Sequence, residues 1–138
     1  MALRFLDTNV LIRYLTGDDP QKAERAYALL LSVERGDEPV ATSPMVMFET
    51  VFVLEKIYGT SRAIIRERLR SVILSRGLRL ANKKIYLSAL DLYAQINVSF
   101  ADAYNVAFMR SRSLSEIYTW DSDFDRLPGI VRVEPAKS

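Results

Sequence analysis

The sequence predicts an α/β fold, a three-layer sandwich with a mostly parallel central sheet of about five strands. Three observations carry that prediction. Short apolar segments alternate with longer stretches of helical periodicity. Gly, Pro or a capping residue marks nearly every switch between them. The 138 residues contain no repeat, no low-complexity tract and no linker, so a single domain over 1–138 is expected.

The first strand is read at Ala2 to Leu6, followed by a short helix from Val10 to Leu15. Thr16-Gly17-Asp18-Asp19-Pro20 stops that helix, and Pro20 opens the next, with Asp18 or Asp19 as cap. Ala23, Ala26, Tyr27, Leu30 and Leu31 recur at helical spacing to about Glu34. A second strand covers Glu38 to Thr42, and Ser43-Pro44 starts a third helix that Gly59 ends. Thr60 or Ser61 caps a fourth helix, Ala63 to Ser75, with its Arg residues off the apolar face. Leu78 to Leu80 is a short strand, and helices follow at Lys83 to Gln95 and Phe100 to Arg112. A strand at Glu116 to Thr119, a turn at Asp123 to Arg126 and a strand at Ile130 to Val133 complete the pattern.

Composition excludes several chemistries. Apolar residues make up 49% of the chain, which argues against general disorder. The sequence has no Cys and no His, so disulfides, Cys/His zinc sites and Ser-His-Asp triads are impossible. Hydrolysis would have to rest on carboxylates, hydroxyls, Lys, Arg and metal. The 19 basic and 17 acidic residues leave a net charge of +2, but acids committed to a metal would make the remaining surface more basic. Arg4 and Asp7 interrupt the opening apolar stretch, so no signal peptide is read. No segment reaches the ~18 uncharged apolar residues of a membrane span, and a soluble cytoplasmic protein is expected.

Four acids stand where ordinary acids are poor structural choices. Asp7 ends the first strand, Glu49 interrupts the apolar run Met45 to Leu54, Asp102 opens a helix, and Asp121 follows a strand. Asp7 reads equally as a helix cap or as a metal ligand. Asp102 fits the capping-box spacing after Ser99, and Asp121 fits a cap of the following turn. Glu49 has Met45, Val46, Phe52 and Val53 as helical neighbours, which predicts a buried carboxylate in need of a metal or a salt bridge. One shared Mg²⁺ or Mn²⁺, cations that prefer oxygen ligands, explains all four together. In parallel sheets ligands collect at the carboxyl ends of strands, where Asp7 and Asp121 fall.

In order along the chain, Leu6-Asp7-Thr8-Asn9-Val10-Leu11-Ile12, Ser43-Pro44 through Phe48-Glu49, Phe100-Ala101-Asp102-Ala103 and Thr119-Trp120-Asp121-Ser122-Asp123-Phe124 resemble the four motifs of PIN-domain ribonucleases. The small size is similar to that of VapC-type toxins of toxin–antitoxin pairs. The resemblance implies a five-stranded parallel sheet and Mg²⁺- or Mn²⁺-dependent endoribonuclease activity on RNA. It also implies homodimerisation and inhibition by a small antitoxin protein. Asp7, Glu49, Asp102 and Asp121 carry over as catalytic, metal-binding acids, with Asp123 as a further ligand and Thr8, Asn9 and Thr119 as support. Arg13, Arg110, Arg112 and Arg126 are candidate contacts to the RNA backbone. Tyr104 and Trp120 are candidates for stacking on an unpaired base, against a simpler role in the core.

Two rivals remain. A haloacid-dehalogenase-like phosphatase with Asp7 as nucleophile usually needs a second acid two residues on, where this chain has Asn9. A non-catalytic RNA-binding PIN-like module would keep the fold without the chemistry.

Overall fold

Capping side chains set the helix starts. In the computed structural model, which describes residues 2–136, Ser43 Oγ accepts from the Val46 N–H at 3.3 Å and Ser61 Oγ from the Ile64 N–H at 3.3 Å. Asp19 accepts from Lys22 N–H at 3.2 Å, with Pro20 at the first helical position. Each cap satisfies a donor that has no partner within its helix and contributes about 1 kcal/mol.

The chain divides into two compact units, Met1–Lys83 and Lys84–Ser138. The first holds β1 (Arg4–Phe5), α1 (Thr8–Thr16), α2 (Pro20–Arg35), β2 (Val40–Ala41), α3 (Pro44–Lys56), α4 (Arg62–Ile73) and β3 (Leu78–Arg79). Its strands form a parallel sheet in the order β1-β2-β3, with Arg4 opposite Val40 and Val40 opposite Leu78. The helical crossovers α1–α2 and α3–α4 return the chain to the start of the next parallel strand, as parallel pairing requires. α1 packs on α2 and α3, and α3 on α4. Leu11, Leu30, Val33, Leu54, Ile65 and Leu69 are buried. Each such side chain contributes roughly 1.5–3 kcal/mol. Gly77 lies where backbones converge: a Cβ there would stand 2.5 Å from the Glu38 carbonyl oxygen and 2.8 Å from that of Val33.

α5 (Lys83–Gln95) leads into the second unit, which continues with α6 (Phe100–Ser111), β4 (Glu116–Tyr118), a 3-10 turn (Ser122–Arg126) and β5 (Val131–Val133). β4 and β5 pair in parallel, Glu116 opposite Val131. Tyr86, Ala89, Leu90, Tyr93, Ala103 and Val106 are buried there, and the Phe100 ring meets Tyr93 edge-on at 5.8 Å.

Among the described residues the five strands and six helices lie where the sequence places them, and each strand pair is parallel. The strands do not form one five-stranded sheet. They form a three-stranded sheet, β1-β2-β3, and a two-stranded sheet, β4-β5, of strands two or three residues long. Among the described residues no helix is long and apolar enough to cross a membrane.

Candidate metal centre

In the second unit, ligand oxygens of Asp102, Asp121 and Asp123 all lie within 4.8 Å of one another. Three local devices build this trio. Ser99 Oγ caps α6 by accepting the Asp102 N–H at 3.0 Å, which fixes Asp102 in the first turn. Thr119 Oγ1 accepts the Asp121 N–H at 3.0 Å, just past the end of β4. Asp121 Oδ1 in turn accepts the Asp123 N–H at 2.9 Å and caps the 3-10 turn. The capping role read for Asp102's helix and for Asp121 is therefore real. It coexists with the cluster, because a cap uses only part of a carboxylate's acceptor capacity.

The trio is electrostatically uneasy. Burial pushes the half-buried Asp102 carboxyl above the usual aspartate range, and the neighbouring Asp121 charge pushes it further. A hydrogen bond with Ser99 opposes the shift, and Asp123 adds to it. Asp123 is partly compensated by Arg126, whose Nη1 lies 3.5 Å from its Oδ1. An all-oxygen donor set of this kind fits a hard divalent cation such as Mg²⁺ or Mn²⁺.

The other predicted site residues sit in the first unit. Asp7 occupies the N-cap position of α1 at the carboxyl end of β1, where Leu6 N–H donates to Ala41 O at 2.7 Å and Thr42 Oγ1 to Leu6 O at 3.0 Å. Its carboxylate makes no capping hydrogen bond and is exposed, so the capping alternative does not hold for its side chain. Asn9 is exposed on the first turn of α1, whereas Thr8 is buried, 4% exposed. Glu49 departs from the burial expected of it. It lies in the second turn of α3 and is exposed, as are its neighbours Met45 (73%) and Phe52 (59%). Helical spacing identifies neighbours but not which face packs, and α3 is apolar nearly all round. Glu49 makes no ion pair among the described residues.

The candidate RNA-contacting arginines all have intramolecular partners. Arg13 pairs with Asp18 at 2.9 Å, and Asp18 also accepts from Tyr58 Oη at 2.6 Å. Arg110 donates to Pro128 O at 2.6 Å, Arg112 lies over the Phe108 ring at 4.1 Å, and Arg126 donates to Asn97 O at 2.8 Å. Tyr104 packs against buried Tyr86, with centroids 5.2 Å apart. Trp120, beside Asp121, is 71% exposed rather than part of a core. The sequence expectation included Arg13 but not Lys22 and Arg25, which line the same cleft. Their i, i+3 spacing on α2 was the available signal.

Alternating parallel strands and helices, with carboxylates gathered just past a strand and in the first turn of a helix, define an α/β protein with an acidic site. The chain belongs to the PIN domain family, whose profile matches residues 4–130. Among solved structures it is similar to VapC20 of Mycobacterium tuberculosis, a Sarcin-Ricin loop cleaving toxin. The two are 25% identical, with 96% of this chain and 99% of that chain covered and a TM-score of 0.40. No curated protein matches.

Proposed function

We propose that this chain is a Mg²⁺- or Mn²⁺-dependent endoribonuclease acting through an acidic site. The observation that carries the proposal is the Asp102–Asp121–Asp123 cluster in a PIN-family chain without His or Cys. Asp102, Asp121 and Asp123 would hold the cation, and Asp7 and Glu49, in the first unit, are proposed as further acids of the reaction on the strength of the family motifs they stand in. When bound, the cation supplies charge neutralisation at the scissile phosphate and acidification of a water. The chain's own residues do the rest. Asp121 Oδ1 is fixed by the Asp123 N–H, which leaves its second oxygen for the reaction. Thr119 sets the Asp121 backbone, and Ser99 sets that of Asp102. Arg126 screens Asp123 until a cation or a phosphate takes over one side of that pair. Asp7, with no intramolecular hydrogen bond at its carboxylate cap position, is available to orient a water.

The four motifs and the small size support a toxin of the VapC type, a homodimer acting in the cytoplasm and restrained by a small antitoxin. Purified protein should cleave single-stranded or looped RNA with Mg²⁺ or Mn²⁺, and EDTA should stop it. Asp102→Asn should abolish cleavage with the fold intact. Full activity in EDTA would overturn the proposal.

A further inference from the structure

The geometry points to the cleft between α1 and α2 as a seat for the sugar-phosphate backbone of single-stranded RNA, held by Lys22 and Arg25. This inference rests on the ribonuclease proposal and deepens it. The cleft encloses about 500 Å³ and lies wholly in the first unit. Asn9 and Arg13 of α1 line one side, Lys22 and Arg25 of α2 the other, and Val10 and Leu29 are also in its walls. Among the described residues no acidic side chain lines it.

The three cations are not equivalent. Arg13 donates to both Asp18 oxygens, at 2.9 and 3.1 Å, so most of its charge is already answered. Lys22 and Arg25 are exposed and make no ion pair among the described residues. They stand three residues apart on α2, hence on one helix face, and can meet neighbouring phosphates. Val10 and Leu29 add apolar contact but offer no aromatic ring for a base to stack on, so the cleft engages the strand through its backbone rather than its bases. A lone phosphate would fill little of such a space. Asn9, on the first turn of the helix that Asp7 opens, is among the residues that line the cleft.

The test is a binding titration in EDTA, where cleavage is absent. Anisotropy of a fluorescein-labelled, unstructured oligoribonucleotide of mixed sequence is followed between about 50 and 200 mM salt. Lys22→Ala/Arg25→Ala is compared with Arg70→Ala/Arg76→Ala, which removes the same charge from exposed positions outside the cleft. Lys22→Gln/Arg25→Gln replaces the first variant if its melting temperature falls. The cleft variant should bind more weakly, with a log–log salt slope shallower by roughly 1.4, two single-strand contacts at about 0.7 each. The control variant should keep the parent's slope. Equal losses in both variants would overturn the inference, since general charge would then explain binding. So would parent-like RNA binding by the cleft variant, including the case in which it loses only a polyglutamate peptide that the parent binds. If the parent itself neither binds nor cleaves RNA, the ribonuclease proposal falls and this inference with it. If the parent does both and the cleft variant is unchanged, only this inference falls.

Discussion

The Asp121 carboxylate accepts the Asp123 backbone N–H at 2.9 Å, so one acid of the cluster positions the next. Asn at position 121 keeps this acceptor and removes the charge, whereas Ala removes both. Asp121→Asn should therefore retain the parent's melting behaviour and lose RNA cleavage. Asp121→Ala should lose cleavage and also about 0.5–2 kcal/mol of stability. Urea unfolding of the two variants checks the difference. Equal stabilities would mean that the cap contributes nothing.

Asp102 gives a pH prediction. Its folded-state carboxyl is raised above the usual aspartate range by burial, then by Asp121. The folded state therefore holds this proton more tightly than the unfolded state. The associated stabilisation is full below the unfolded pKa and is lost as pH rises through the raised folded value. Melting of the metal-free protein, scanned from about pH 3.5 to 7, should show that loss. In Asp102→Asn the loss should be smaller, with stability near neutrality equal to or above the parent's. A steeper loss in the variant would contradict the cause assigned to the shift.

Exposure of Glu49 and the unbonded cap position of Asp7 predict that neither residue matters for stability. Glu49→Gln and Asp7→Asn should each change the metal-free unfolding free energy by no more than about 0.5 kcal/mol. Both should lose cleavage, and the stabilisation by added Mg²⁺ or Mn²⁺ should shrink. Ser61→Ala, which removes a formed cap, should cost about 1 kcal/mol and leave cleavage intact. A drop of several kcal/mol for Glu49→Gln would mark it as half of a structural ion pair.

Asp18 is held below the usual aspartate range, first by the Tyr58 hydroxyl and also by Arg13. Its contribution to stability is present above the unfolded pKa and lost as pH falls through the depressed folded value. Tyr58→Phe should raise the Asp18 titration midpoint, followed by carboxyl NMR, and start acid destabilisation at a higher pH. An unmoved midpoint would show that the Tyr58 hydroxyl does not set it and that Arg13 and Thr16 do.

Gly77→Ala should be among the most damaging small substitutions. The added Cβ would meet backbone carbonyls of Glu38 and Val33, which cannot swing aside as a side-chain tip can. A cost of about 1–3 kcal/mol is expected from chemical denaturation. Parent-like stability would mean that the β2 approach relaxes freely.

The helices were legible because their punctuation is local. Ser43-Pro44, Ser61 and Ser99 form the caps their positions suggest, and Lys83 to Gln95 runs between the residues expected. Proximity of Asp102, Asp121 and Asp123 follows from strand-end and helix-start placement, which parallel topology makes readable. Division into two sheets was not readable, since pairing joins distant segments that no local pattern specifies. The packed face of α3 is equally hidden: a helix apolar nearly all round carries no clear stripe to identify it, which is why its sequence predicts a buried Glu49. Burial of Thr8 beside exposed Asp7 and Asn9 reflects the rotation of α1, which sequence spacing leaves open.

The order of the cluster along the chain has a consequence during synthesis. Asp102 emerges from the ribosome well before Asp121 and Asp123, and Thr119, which positions Asp121, comes only just ahead of it. Until Asp123 has left the exit tunnel, its N–H cannot pin Asp121 and the trio does not exist. Domains fold as units on the nascent chain. The acidic cluster is therefore unassembled until the residues through Asp123 have been made. A nuclease built in this order spends most of its translation unarmed beside the messenger that encodes it.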